Sequence, residues 1–246
     1  MNPTAKRPAC RVMIDFHTHV LPGVDDGSRS VEESLAMLSA MREQGVKQVV
    51  ATPHFLANHE SVDDFIERRN TACQRLAERT ENLPTIHCGA EVRYYDGISH
   101  LPDLKKLRIE NSRLLLLEMP FCTWSEYAVK EVCDMAGRGS VTVVLAHIER
   151  YMAAQRPQVL YRLLDSGALI QCNASFFCSF LTKPRALGML RNGMIHFLGS
   201  DTHNLTDRAP NTAKAYSVME NKFGEAFVHD FISYGNGLFL QNIYTP

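Results

Sequence analysis

The sequence predicts a single α/β domain built as a closed or nearly closed barrel, and two observations carry that expectation. Short runs rich in Val, Ile and Leu alternate with amphipathic stretches, the pattern of strand and helix units repeated along a parallel sheet. Seven such units fit one chain of 246 residues with no internal repeat, low-complexity tract or Pro/Gly-rich linker, which suits a barrel more than an open doubly wound sheet. A barrel places its chemistry where strands end and loops begin, on the carboxyl-terminal face.

The strand-like runs are Arg11–Phe16, Val46–Ala51, Thr85–Ala90, Arg113–Leu117, Val141–Ala146, Ala168–Cys172 and Met194–Gly199. Helices fill the gaps. Ser30-Val-Glu-Glu33 reads as a capping box, followed by Leu35, Leu38 and Met41 on one face and Gly45 as a stop. A second helix starts at Ser61 and would bury Phe65, Ile66, the Arg69 stem, Cys73 and Leu76. Further helices are expected at Ser125–Gly137, Pro157–Asp165, Pro184–Asn192, Pro210–Phe223 and Glu225–Tyr234.

Composition narrows the function. With 26 basic against 27 acidic side chains and no Lys/Arg block, the chain has no field to attract nucleic acid. Met1–Arg11 lacks the apolar core of a signal peptide and no long apolar run follows, so a cytoplasmic protein without membrane insertion is expected. Residues 1–12 read as a flexible extension ahead of a domain spanning 13–246. The seven cysteines are odd in number and contain no Cys-x-x-Cys pair, which argues against a disulfide framework or thiolate zinc site. Most are expected to be small buried hydrophobes.

Metal-ligand residue types recur at the run ends. His17 and His19 follow the first run, and residues two apart in extended backbone point the same way. Asp25 and Asp26 come next, in the loop Gly23-Val-Asp-Asp-Gly27. The second run ends in Thr52-Pro-His54, the third in Gly89-Ala-Glu91, the fourth in Leu117-Glu118 and the fifth in Ala146-His147; the seventh is followed by Ser200-Asp201-Thr-His203. The sixth, Gln171-Cys-Asn173, supplies no ligand.

Any one of these is more often an ordinary core or surface residue. Together they would repel one another or stay unsatisfied at one barrel mouth unless cations hold them, so a metal centre is the economical reading. Nine mixed nitrogen and oxygen donors, His17, His19, Asp26, His54, Glu91, Glu118, His147, Asp201 and His203, are too many for one ion and suit manganese, iron or zinc better than magnesium. Paired ions generate a bridging hydroxide near neutral pH and grip both sides of an in-line displacement. Arg150 and Arg208 lie just beyond ligand positions, where guanidinium forks can hold phosphoryl oxygens; the plainer alternative pairs Arg150 with Glu149 structurally. His59, His87, His100, His196 and His229 fall away from strand ends and are expected to take no part.

The ordered series Ile14-Asp-Phe-His17-Thr-His19, Asp25-Asp26-Gly27, Thr52-Pro-His54, Gly89-Ala-Glu91, Glu118, His147-Ile-Glu-Arg150 and Ser200-Asp201-Thr-His203 resembles the polymerase and histidinol phosphatase (PHP) superfamily over nearly the whole chain. Within it the chain looks most like the bacterial protein-tyrosine phosphatases of the CpsB/YwqE group, which act on tyrosine kinases controlling capsule and exopolysaccharide synthesis. The Gly-Val-Asp-Asp-Gly loop, Glu118 and the His-Ile-Glu-Arg string point there. The resemblance implies a distorted (β/α)7 barrel holding three ions, commonly manganese. It makes His17, His19, Glu91 and Asp201 ligands of one ion, with Glu91 bridging to a second held by Glu118 and His147. Asp26, His54 and His203 would hold the third, with Arg150 and Arg208 on the phosphate. Met13-Ile14-Asp15 looks like the family's usual start, and the aromatic loop Ala174–Phe180 is unusual.

Other readings compete. Cys73-Gln-Arg-Leu-Ala-Glu-Arg79 formally satisfies the Cys-x5-Arg of cysteine phosphatases, but its helix formers cannot build a glycine-bearing phosphate cradle. A metal-dependent amidohydrolase would place a bridging lysine after the fourth strand and a histidine after the sixth, where this chain has Glu118 and Asn173. A small-molecule phosphatase acting on histidinol phosphate, or a scaffold that binds phosphate ligands without turnover, shares the same donors.

Overall fold

The structure, a computed structural model, describes residues 12–79, 82–110, 112–137 and 140–242. The extension expected at 1–12 lies outside the described residues apart from Val12. From the amino end the chain runs β1 (Met13–Thr18), α1 (Val31–Glu43), β2 (Val46–Ala51), β3 (His54–Phe55), α2 (Val62–Ala77), β4 (Thr85–Cys88), β5 (Glu91–Arg93) and β6 (Leu114–Glu118). It continues through α3 (Glu126–Gly137), β7 (Thr142–Leu145), α4 (Pro157–Asp165), β8 (Leu169–Asn173), α5 (Ala174–Cys178), α6 (Lys183–Arg191), β9 (Phe197–Gly199), α7 (Thr212–Phe223) and α8 (Glu225–Gln241).

Every strand pairing is parallel. One sheet runs β1-β2-β4 and the other β3-β5-β6-β7-β8-β9. The two are pieces of one curled sheet. The second expected strand is β2 over its full range and the third stops two residues early at Cys88; after each the chain kinks and pairs again, as β3 and β5, because Pro53 has no N–H to continue the ladder. Hydrogen bonds from Gly89 N to Ala51 O (2.8 Å) and Glu91 N to Pro53 O (3.0 Å) carry the pairing across the kink. At the other seam Asp201 N donates to His17 O (2.8 Å) and His19 N to Thr202 O (2.9 Å), joining the chain after β9 to β1. With the kinked pairs counted as single strands, the circuit has the seven positions of the expected barrel.

Packing explains the remaining departures. Ser30 Oγ accepts from Glu33 N (3.2 Å) as the capping box requires, but Glu33 Oε2 takes Arg29 N (2.9 Å) instead of Ser30 N. In α1, Met37 is buried with Leu38 and Met41 while Leu35 is half-buried; in α2, Val62 and Ala72 take the inward places expected of Ile66 and Cys73. Helix α5 was expected to be loop, since five residues are too few to show a helical period; it forms by burying Phe176 and Phe177. Helix α8 runs on past Tyr234 through Gly235 and Gly237, because Phe231, Ile232 and Phe239 are buried and Phe239 packs edge-on to Phe16 of β1 at 5.8 Å. Of the described cysteines only Cys88 and Cys172 are fully buried, correcting the expectation that most would be, and Cys122 is exposed. The others lie on helix flanks rather than inward stripes. Among the described residues no helix is long and apolar enough to cross a membrane.

Candidate metal centre

The barrel brings all nine expected donors to one mouth. His17 lies on β1 and His19 just past it, and their Nε2 atoms stand 3.1 Å apart. His17 Nε2 is 3.3 Å from Glu91 Oε2 and 3.5 Å from Asp201 Oδ1; His19 Nε2 is 3.4 and 3.3 Å from the same two oxygens. Donors about 2.1 Å from a shared ion are separated by about 3.0 Å at a right angle and about 3.4 Å at a tetrahedral angle. The observed separations match that range.

Two further groupings adjoin the first. His147 Nε2 lies 2.8 Å from Glu91 Oε1 and 3.5 Å from Glu118 Oε1, so the two oxygens of Glu91 face different neighbours, as a bridging carboxylate must. Asp26 Oδ1 is 3.5 Å from His54 Nε2 and 3.3 Å from His203 Nε2. The structure divides the donors less cleanly than the resemblance implied. His19 joins His17 and Asp201 and also clusters with Asp26, His54 and His203, while His54 groups with Glu91 and Glu118 through its Nδ1, 3.0 Å from Glu91 Oε2. Asp26, 64% exposed, is the most open member. Among the described residues, none of His59, His87, His100, His196 and His229 joins these groupings: His87, for example, bonds Glu110 and Gln48, and His196 Nδ1 accepts from Ile170 N.

The backbone is bent to make this possible. His147 and Asp201 have φ of 30° and 53°, in the left-handed region that side chains other than glycine seldom adopt, and such strain collects at functional sites. Gly199 brings β9 against the centre: a Cβ there would lie 2.5 Å from His17 Cβ and 2.8 Å from Gln171 Nε2. Gly27 is similarly confined, its virtual Cβ 2.3 Å from His19 O.

Behind the donors lies a layer the sequence analysis missed. Asp25 Oδ2 is 2.6 Å from His19 Nδ1 and accepts from His54 N (3.0 Å), turning His19 Nε2 toward the cluster. The sixth strand position, which supplies no ligand, supplies this layer instead. Gln171 Oε1 lies 3.1 Å from His17 Nδ1 and accepts from His147 N (2.7 Å); Gln171 Nε2 donates to Asn173 Oδ1 (2.9 Å), and Asn173 Nδ2 donates to Asp201 Oδ2 (2.9 Å). For the amides, two such side chains two residues apart at a strand end are the signal the sequence offers.

The electrostatics are those of a cluster seeking cations. Burial alone would raise the carboxyl pKa of Glu91, but the charge of His17 and hydrogen bonds from His147, His17 and His19 hold it well below the usual range. Asp201 is lowered in the same way, burial being overcome by His17 and His19. Burial works against charge on His147, yet Glu118 and Glu91 push it up to about 9, while His19 is raised chiefly by Asp25. His203 is lowered to about 4 by burial and by the charges of His19 and Arg208. The carboxylates are thus stabilised by positive charge beside them, the role divalent ions would take at this centre.

Both arginines reach the centre. Arg150 Nη2 donates to Asp201 Oδ2, and Arg208 Nη2 lies 2.8 Å from Asp201 Oδ1. Arg150 is therefore not paired with Glu149, which is half-buried, accepts from Asn173 N (3.3 Å) and has its pKa raised by desolvation. The Cys-x5-Arg segment lies mostly within α2, with Cys73 Sγ 2.7 Å from Cys88 Sγ and Arg79 paired to Glu32, and forms no cradle.

The donors fit a metal on an observation of their own. Of the buried side-chain N and O atoms without a well-formed hydrogen bond among the described residues, Glu91 Oε2, Asp201 Oδ1 and His203 Nε2 face into this cluster. Glu91 Oε2 has three imidazole nitrogens within 3.4 Å and Asp201 Oδ1 has Arg208 close by, so the shortfall is one of direction. An ion accepts lone pairs that these partners do not meet squarely.

Fold and site together define a parallel α/β barrel with a multi-donor metal-type centre at its mouth. Residues 13–240 match the family model "Capsular polysaccharide synthesis, CpsB/CapC", and the chain belongs to that family. It is 31% identical over 245 residues to the tyrosine-protein phosphatase CpsB of Streptococcus agalactiae, covering 94% of this chain and 96% of the relative. A crystal structure from work on YwqE of Bacillus subtilis and CpsB of Streptococcus pneumoniae, described as metal-dependent tyrosine phosphatases, superposes with a TM-score of 0.80 at 29% identity, covering 95% and 96% of the two chains. Histidinol phosphate phosphatase from Lactococcus lactis shares the fold, with a TM-score of 0.56 at 12% identity over 85% of this chain and 92% of its own.

Proposed function

We propose that this chain is a metal-dependent protein-tyrosine phosphatase that acts in the cytoplasm on a bacterial tyrosine kinase of capsule or exopolysaccharide synthesis. The observation that carries the reading is the convergence of His17, His19, Arg150 and Arg208 on the carboxylate of Asp201, with Glu91 against the same two imidazoles. The family and its tyrosine-phosphatase relatives support the substrate class.

Two or three divalent ions suit the nine donors, with manganese first and iron or zinc as alternatives. His17, His19, Glu91 and Asp201 would hold one, Glu91, Glu118 and His147 a second, and Asp26, His54 and His203 a third. When bound, such ions neutralise charge on phosphoryl oxygens and acidify water. The chain's own part is positioning. Asp25 and Gln171 orient His19 and His17, and Arg150 and Arg208, each about a third exposed, present forks for the non-bridging oxygens.

The test compares hydrolysis of a phosphotyrosyl kinase peptide, p-nitrophenyl phosphate and histidinol phosphate, with manganese and with chelator. Manganese-dependent turnover favouring the phosphotyrosyl peptide is expected. Binding without turnover of any ester would leave a phosphate-binding scaffold, and preference for histidinol phosphate would move the substrate to small phosphomonoesters.

A further inference from the structure

Phe121 is 52% exposed, yet its ring is held in place at the mouth of the centre. It follows Glu118, the last residue of β6, by three positions. Its ring stacks on the His147 imidazole with centroids 5.9 Å apart and an interplanar angle of 25°, and on Tyr151 at 5.5 Å and 27°. His147 in turn touches Glu91. An exposed phenyl ring and a candidate ligand imidazole therefore form one aromatic layer beside the place where a phosphoryl group would be held.

The backbone on both sides of Phe121 is pinned. Met119 N donates to Tyr151 Oη (3.0 Å), Trp124 Nε1 to Pro120 O (3.0 Å), and Gln155 Nε2 to Cys122 O (2.7 Å), while Gln155 Oε1 accepts from Trp124 N (3.2 Å). Leaving a phenylalanine half in water forgoes apolar burial. A loop this firmly tied presents the ring rather than losing it to disorder, which is preorganisation for a ligand.

We propose that Phe121 is the platform for the aromatic ring of the substrate, so that the site selects aryl over alkyl phosphomonoesters. The inference rests on the phosphatase reading above and assigns a residue to its substrate class. Aromatic rings prefer offset-stacked or edge-on contact over other arrangements, and the phenyl of a phosphotyrosine whose phosphate lies at the centre has this face to pack on. Such a contact corresponds to about 3- to 10-fold in affinity.

The test measures competitive inhibition of p-nitrophenyl phosphate hydrolysis by phenylphosphonate, methylphosphonate and inorganic phosphate, in the manganese-loaded wild type and in Phe121→Ala and Phe121→Trp. Phe121→Ala should weaken phenylphosphonate by about 3- to 10-fold while leaving methylphosphonate, phosphate and metal content unchanged, and Phe121→Trp should restore phenylphosphonate binding. Equal weakening of all three inhibitors, or no weakening of phenylphosphonate, overturns the inference. A misfolded Phe121→Ala would lower metal content and melting temperature together; Phe121→Leu, which keeps apolar bulk without the ring, then gives the same comparison. If the wild type hydrolyses no phosphate ester, the phosphatase reading fails, and this inference with it.

Discussion

Gln171 faces His17 with its side-chain oxygen 3.1 Å from the ring Nδ1, and the same oxygen accepts the backbone N–H of His147. One buried amide thus sets the His17 tautomer, turning Nε2 toward Glu91 and Asp201, and anchors the strained residue of a neighbouring strand. Partners behind a ligand of this kind commonly alter metal affinity by about 10- to 100-fold. Gln171→Leu should weaken manganese binding within that range, and Gln171→Glu, which keeps the acceptor, should weaken it less. Isothermal titration of the chelator-stripped proteins checks this; wild-type affinity in Gln171→Leu would show that the network only fills space.

Arg150 and Arg208 separate holding phosphate from holding metal. Each alanine variant should keep its ions and fold and lose about 10²-fold in kcat, on the scale of a single charge-stabilising donor. Inorganic phosphate should inhibit both variants less. Lysine cannot reproduce the fork, so Arg→Lys should rescue poorly. Metal content, melting temperature and phosphate inhibition constants are the measurements, and unchanged phosphate inhibition in both variants would remove the arginines from the site.

Glu91 is expected to be the residue whose loss is felt by more than one ion. Chelation should abolish activity and manganese restore it, and Glu91→Gln should lose metal as well as rate. Cys73→Ser should leave turnover intact, since Cys73 lies on α2 against Cys88 with no phosphate cradle. Metal analysis and kinetics on the two variants decide; full metal content and activity in Glu91→Gln would contradict the bridging role.

The metal-free protein should be most stable near pH 6.5. His147, at about 9 when folded and near 6.5 when unfolded, contributes stability that is complete below about pH 6.5 and is lost as pH rises through 9. His19 and His54 are raised as well and act in the same direction. His203 and His196 are held at about 4, so the unfolded chain takes up their protons first and stability falls as pH drops from about 6.5 through 4. Saturating manganese should flatten the alkaline decline, because a ligand nitrogen bound to metal cannot keep its proton. Melting temperatures from pH 4 to 9.5, with chelator and with manganese, test this; a flat alkaline limb in chelator would contradict it.

Strand and helix periodicity, together with the residue types at strand ends, made the barrel, its seven-position circuit and the gathering of nine donor-type side chains at one mouth legible in the sequence, because a parallel barrel delivers strand ends to one face whatever its details. The same logic could not reach the kinks at Thr52-Pro53 and Gly89-Ala90, which depend on how two adjacent strands share hydrogen bonds across a missing N–H. Nor could it show that Asp201 is gripped by both Arg150 and Arg208, residues 51 and 7 positions away, since nothing in local pattern relates loops from different strands. Gln171 and Asn173 read as a strand end without a ligand. Only tertiary packing, which sets β8 between β7 and β9 and within a side chain's reach of β1, gives those two amides their partners and so their purpose: a hydrogen bond acts over about 3 Å, a range that chain order does not encode.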